Sequence, residues 1–159
     1  MELKTSKLVY ELKKRAQNLT IPMRYISADM IKKVNLRFRR TQDQDGKEWA
    51  RLSPATIARR RKASDKPLND TGRLKSSFRR KYTRNSAIVG TNTIYAPTHQ
   101  FGARKGQYGK TRYGVAIPWG KIPARPFLGI NRKERMKYRS IVLRYLKKGN
   151  VGGGENINV

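Results

Sequence analysis

The chain has 159 residues, 38 Lys and Arg against 10 Asp and Glu, and a formal net charge of +28. That length suits one domain with a modest core, and the 36% hydrophobic content lies above the disordered range. The charge opposes compaction by self-repulsion and asks for an anionic partner or a larger assembly, while the absence of Cys excludes disulfides and thiolate chemistry.

No apolar run approaches the roughly 20 residues that span a bilayer, so no membrane partner is expected. Charge recurs through residues 2–15, so no signal-peptide apolar segment is expected there, and a cytosol-like compartment fits.

Leu3, Leu8, Val9, Leu12, Ala16 and Leu19 form an irregular stripe that predicts a first helix. Pro22 suits the first turn of a second, where its missing N–H costs nothing. Met23, Ile26, Met30, Ile31, Val34 and Phe38 mark its buried face. Arg24, Lys32, Lys33, Arg37, Arg39 and Arg40 mark a face that meets solvent, an anion or a partner. Residues 41–47 read as a polar turn with Asp43, Asp45 and Gly46. Ser53 then caps a third helix over 54–64, with Pro54 in its first position. Arg59, Arg60, Arg61 and Lys62 on that helix are the densest cationic block. They suit phosphates, through counterion release, as well as solubility or an ion pair to a neighbouring subunit.

Residues 67–102 are expected to form the unit on which the rest of the chain packs, or from which it reaches outward. Asp70 or Thr71 is placed to cap a short helical turn carrying Leu74 and Phe78. A basic strand over 78–83 turns at Arg84-Asn85 into Ala87-Ile88-Val89, and Gly90 ends the hairpin. Residues 103–114 read as an extended loop or a hairpin tip. Arg104, Lys105, Lys110 and Arg112 interleave there with Tyr108 and Tyr113, a pattern that suits an adhesive arm on a protein neighbour or a nucleic-acid strand. Residues 115–117 predict a short strand that Pro118-Trp119-Gly120 breaks, and the prolines at 123 and 126 predict an extended course over 122–129. Asn131 and Glu134 form a capping-box pattern opening a last helix. Its stripe is Tyr138, Ile141, Val142, Tyr145 and Leu146, its end Lys147-Lys148, its stop Gly149.

The expected architecture is α+β. It is a small antiparallel β-sheet with long N-terminal helices (1–40) and a C-terminal helix (131–148) packed on it. One domain is expected over 1–148, with its central β unit at 67–129, and the tail at 149–159 has no reason to fold alone.

Catalysis is not expected. Between Thr71 and Lys133 there is no Asp or Glu against 14 Lys or Arg, so acid/base and hard-metal chemistry lack carboxylates. His99 is the lone histidine and reads as a structural hydrogen-bonding residue. The Asp43, Asp45 and Glu48 cluster lacks calcium-loop spacing, and no cofactor or metal motif occurs.

Four stretches in order then resemble the phage virion-morphogenesis, or tail-completion, family of the Mu type. They are Trp49-Ala-Arg-Leu-Ser-Pro-Ala-Thr56, Leu68-Asn-Asp-Thr-Gly-Arg-Leu74, Val89-Gly-Thr-Asn-Thr-Ile-Tyr-Ala96 with His99-Gln-Phe-Gly102, and Ile122-Pro-Ala-Arg-Pro-Phe-Leu-Gly129. The resemblance implies a non-catalytic assembly protein of the virion tail or neck, present in the host cytoplasm during assembly. It implies a homo-oligomeric ring, commonly hexameric, in contact with other neck, connector or tail proteins. Within such a ring, Arg59, Arg60, Arg61, Lys62, Arg104, Lys105, Lys110 and Arg112 are the residues expected to face packaged DNA or the adjacent ring. Tyr108, Tyr113, Arg125 and Phe127 are the expected subunit contacts, with closure of the sheet and a core position for Phe127 as the plainer role. A free basic nucleic-acid-binding protein of ribosomal or nucleoid type is the alternative.

Overall fold

A computed structural model describes residues 2–60 and 64–151, with side chains from residue 6 onward. The described elements are α1 (Glu2–Gln17), α2 (Thr20–Arg40), α3 (Pro54–Ala58), α4 (Arg73–Ser76), β1 (Arg79–Tyr82), β2 (Ala87–Gly90), α5 (Ala96–Phe101) and α6 (Arg132–Lys148). Six helices with a two-stranded antiparallel sheet make an α+β fold. The chain forms two compact units. One comprises residues 1–31, 80–89 and 131–159, the other 32–79 and 90–130.

The first unit is built on α6. Tyr138, Ile141 and Tyr145 recur at steps of three and four, so they share one helix face, and all three are buried. Tyr138 and Ile141 pack on Ile26 of α2, with Met23, Met30, Val142 and Ala87 of β2 around them. Polar ends are satisfied locally. Asp29 accepts from Lys137 Nζ at 2.8 Å and from the Tyr138 hydroxyl at 3.0 Å. The C-terminal carbonyls of α6, which have no partner within the helix, receive Arg15. Its guanidinium donates to Leu146 O at 3.0 Å and Lys147 O at 3.1 Å, a cation at the negative helix pole.

At the other end of α6 the capping box is complete. Asn131 Oδ1 accepts from Glu134 N–H at 2.8 Å, and Asn131 N–H donates to Glu134 Oε2 at 3.2 Å. Asn131→Ala is therefore expected to lower stability by about 1 kcal/mol, measured by thermal or urea unfolding of the full chain. A change within error would show that the first turn is held by packing alone.

The hairpin has the predicted strands, and Thr83 N–H closes its turn on Ser86 O at 2.8 Å. It is not the centre of the chain, however. Every residue of β1 is exposed, and only β2 turns partly inward.

The second unit has an aromatic core instead. Phe38 stands 5.4 Å from Trp49, 5.7 Å from Phe78 and 5.6 Å from Phe127, centroid to centroid, and Phe78 lies 5.4 Å from Phe127. Edge-to-face and tilted contacts at these distances suit the ring quadrupoles. The extended segment 122–129 crosses this core without a neighbouring strand, and side chains do the work of a ladder. Gln100 Oε1 accepts from the N–H groups of Phe127 and Leu128, both at 3.0 Å, and its Nε2 donates to Leu128 O at 2.9 Å. Arg37 donates to Phe127 O at 3.0 Å and Trp49 Nε1 to Pro126 O at 2.8 Å. Pro123 and Pro126 have no N–H to satisfy.

Local expectations fail in three places. α3 stops at Ala58, well short of residue 64, with Arg59 as its C-cap. It buries no side chain, and the arginine run beyond it offers no apolar residue to extend the packing on which short helices depend. The cap of α4 is Gly72 at φ 74°, not Asp70 or Thr71, although Thr71 Oγ1 accepts from Arg73 N–H at 3.4 Å. Residues 115–117 form no strand but a single bridge between Ala116 and Lys110, since Pro118 carries no N–H to continue the ladder.

Candidate functional site

The second unit carries a cleft of about 660 Å³. The loop before α3, the N-terminal turn of α4, α5 and the segment around residues 118–125 form its walls. Arg51, Arg60, Arg73, Lys121 and Arg125 line it, and Asp70 is the one carboxylate among the described lining residues. Tyr95 and Trp119 supply aromatic surface, and Trp119 is 72% exposed. A second recess shares Thr56, Arg60, Asp70 and Trp119 with the cleft and adds Arg59.

Two of the cleft's five cations, Arg125 and Arg60, are fixed in place by backbone carbonyls. Arg125 is only 5% exposed. Its Nε donates to Ala50 O at 2.9 Å and its Nη2 to Arg51 O at 3.2 Å, which fixes the guanidinium without neutralising it. Arg60 Nη1 donates to Ser64 O at 3.1 Å and Lys66 O at 2.7 Å. Burial, then the charge of Arg60, pulls the Arg125 pKa below its ordinary value. Burial, then the charges of Arg125 and Arg60, lowers that of His99, favouring the neutral ring. The cleft is thus a place where positive charges already repel one another, and where an anion gains from several at once.

His99 bonds through its backbone and leaves one ring nitrogen unpaired. Its carbonyl accepts from Arg125 N–H at 2.7 Å and its ring stands edge-on to Tyr95, but its buried Nδ1 has no hydrogen-bonding partner among the described residues. Arg125 and Phe127 are interior, which fits the core position expected for Phe127 as its plainer role and not the subunit contact named beside it. Phe127 has no exposed surface, and Arg125 is committed to two carbonyls of its own chain.

Arg104, Lys105, Lys110 and Arg112 are exposed, as are Tyr108 and Tyr113, but none of them lines the cleft. They sit on a tied hairpin, not a free loop. Ala103 and Ile122 exchange N–H···O bonds at 2.9 and 2.8 Å, Tyr108 N–H donates to Ile117 O at 2.7 Å, and Thr111 N–H donates to Val115 O at 2.8 Å. Tyr108 and Thr98 share a hydroxyl hydrogen bond at 2.8 Å, and Arg112 lies over the Tyr113 ring at 4.5 Å. Arg59 is exposed, whereas Arg61 and Lys62 lie outside the described residues.

Sequence reading missed Arg51, Arg73, Lys121, Tyr95 and Trp119 as members of one site. They are scattered over some seventy positions as single cations and aromatics, and no local spacing joins them. Among the described residues, no group of His, Cys, Asp and Glu side chains is placed to hold a metal ion, and no helix is long and apolar enough to cross a membrane.

Comparison with known proteins gives the context. The phage virion morphogenesis family matches residues 4–147. The chain is 47% identical over 62 residues to "Mu-like prophage FluMu G protein 2" of Haemophilus influenzae, a match covering 39% of this chain and 38% of that protein. It is 30% identical over 113 residues to "Putative capsid assembly protein G" of Escherichia phage Mu, covering 69% of this chain and 67% of that one. The aligned stretch is thus well under two thirds of the Haemophilus relative's length. No solved structure matches. With the match running almost end to end, the chain belongs to the phage virion morphogenesis family, among proteins of virion assembly.

Proposed function

We propose that the chain acts in tail completion or head–tail joining, as a homo-oligomeric ring with a hexamer favoured, and makes no covalent chemistry of its own. Its basic surface faces packaged DNA or a neighbouring ring. The observation that carries this reading is the cationic hairpin at 103–122: its cations are exposed while its backbone is fixed, which presents charge outward at little ordering cost. Neutralised phosphates release counterions whatever their sequence, so such a surface suits a DNA passage. Membership of the family and the name of the Mu relative support the assembly role.

The test is charge reversal at Arg59, Arg104 and Lys105, with Arg60 left intact because it holds the 64–66 loop. Lysates complemented with this variant are expected to show separate heads and tails by electron microscopy. Light scattering of the nuclease-treated wild-type protein is expected to show a closed oligomer. Normal virion yield, or a monomer that binds DNA with a steep salt dependence, overturns the reading.

A further inference from the structure

The cleft and the acidic turn of the same unit are complementary, and the structure leaves the turn's charge unspent. Asp43, Asp45 and Glu48 fall within six residues, three of the ten acidic residues in the chain. Asp43 Oδ1 is used internally: it accepts from the N–H groups of Asp45 and Lys47, both at 2.9 Å. Asp43 N–H donates to Lys47 O at 2.9 Å and Trp49 N–H to Thr41 O at 2.8 Å, so the turn is stiff and tied to the aromatic core. Gly46 at φ 86° makes its tip, with nothing crowding it. Asp45 Oδ2 accepts from the neutral Gln44 Nε2 at 3.0 Å, Asp45 and Glu48 are exposed, and neither has an ion pair among the described residues, in a chain holding 38 Lys and Arg.

We propose that the 43–48 turn of one copy docks in the Arg51–Arg73–Lys121 cleft of the next, so that Asp45 and Glu48 complete a site which one copy leaves unbalanced. The contact is heterologous: turn and cleft are different surfaces of the same unit, and repeating it head to tail closes a ring when the rotation permits. It deepens the ring reading above and rests on it. The cleft suits this occupant better than duplex DNA, because Arg125 is recessed and a phosphate backbone meets only the rim. The net charge of +28 opposes any association of copies at long range. At physiological salt that repulsion is screened beyond about 8 Å, whereas opposed charges at contact distance are not.

The experiment uses the full chain, nuclease-treated, in sedimentation velocity at low and physiological salt. One variant reverses the cleft (Arg51→Glu with Arg73→Glu), and another reverses the turn (Asp45→Lys with Glu48→Lys). All four positions are exposed, and Lys121→Glu provides an independent cleft variant; circular dichroism checks that each folds. The wild type is expected to self-associate. Each reversed variant is expected to weaken that at least about tenfold, the scale of one lost close charge pair at an interface. An equal mixture of the two variants, and a chain carrying both reversals, are expected to associate again. Association undiminished in both variants overturns the docking while leaving the ring intact. A wild type that stays monomeric overturns both. Loss of duplex-DNA binding in the cleft variant, with self-association unchanged, assigns the cleft to nucleic acid and also overturns the proposal.

Discussion

Phe127→Ala is expected to lower the stability of the full chain by about 3–5 kcal/mol, read from the urea unfolding midpoint. Phe127 has no exposed surface and touches two other rings of the cluster at 5.4–5.6 Å. Truncation removes transfer energy and leaves a void that its neighbours cannot fill, because their own positions are pinned. Trp49 is hydrogen-bonded to Pro126 O, and the backbone at residue 127 is held by Gln100 and Arg37. Pinning is what puts the site at the costly end of the range, since the penalty depends on how far a cavity collapses. A loss below about 1 kcal/mol would show that the cluster repacks and is not the organising core of its unit.

The second large effect is predicted at Gly102. This residue sits at φ 77° and ψ 177°, a region reserved almost wholly for glycine. A Cβ there would lie 2.8 Å from Ile122 O and 2.9 Å from Ala124 N, backbone atoms that cannot rotate aside. Ile122 O is also the acceptor for Ala103 N–H at 2.9 Å, so any shift opens the bridge that starts the cationic hairpin. Gly102→Ala is expected to cost at least about 2 kcal/mol from strain and bridge loss together, and to raise amide exchange at residues 103 and 122. Gly90→Ala is the control: it has open space and no left-handed backbone, and should change stability by less than about 1 kcal/mol. Equal effects at the two glycines would count against the steric account.

Chemistry confined to a few neighbours was readable in advance. The Asn131–Glu134 cap, the buried stripe of α6, the Ser53-Pro54 helix start and the 79–90 hairpin each depend on residues within one or two turns of one another. Most of the second unit was not readable, because its bonds join distant positions through polar side chains. Periodicity says where Gln100 or Arg125 lies on its own element, but not that one feeds the peptide groups of residues 127 and 128 and the other those of 50 and 51. The same holds for the cleft. Arg60 and Arg125 were singled out for other roles and Arg51, Arg73 and Lys121 for none, and only the fold brings these five cations and Asp70 into one cleft. The expected 54–64 helix failed for the converse reason: its local start signal was correct, but none of the side chains of 54–58 is buried to hold further turns in place.

An open β edge is a template onto which like strands can add and grow into fibrils. Here the outward strand carries Arg79, Arg80 and Lys81, so a like strand approaching it meets its own charge. The other extended stretch, residues 122–129, offers little backbone for a stranger to zip onto, since a glutamine amide, an arginine and a tryptophan already occupy it. Edge-to-edge stacking is thereby discouraged at β1 and along residues 122–129, by charge in the one and by side-chain bonds in the other.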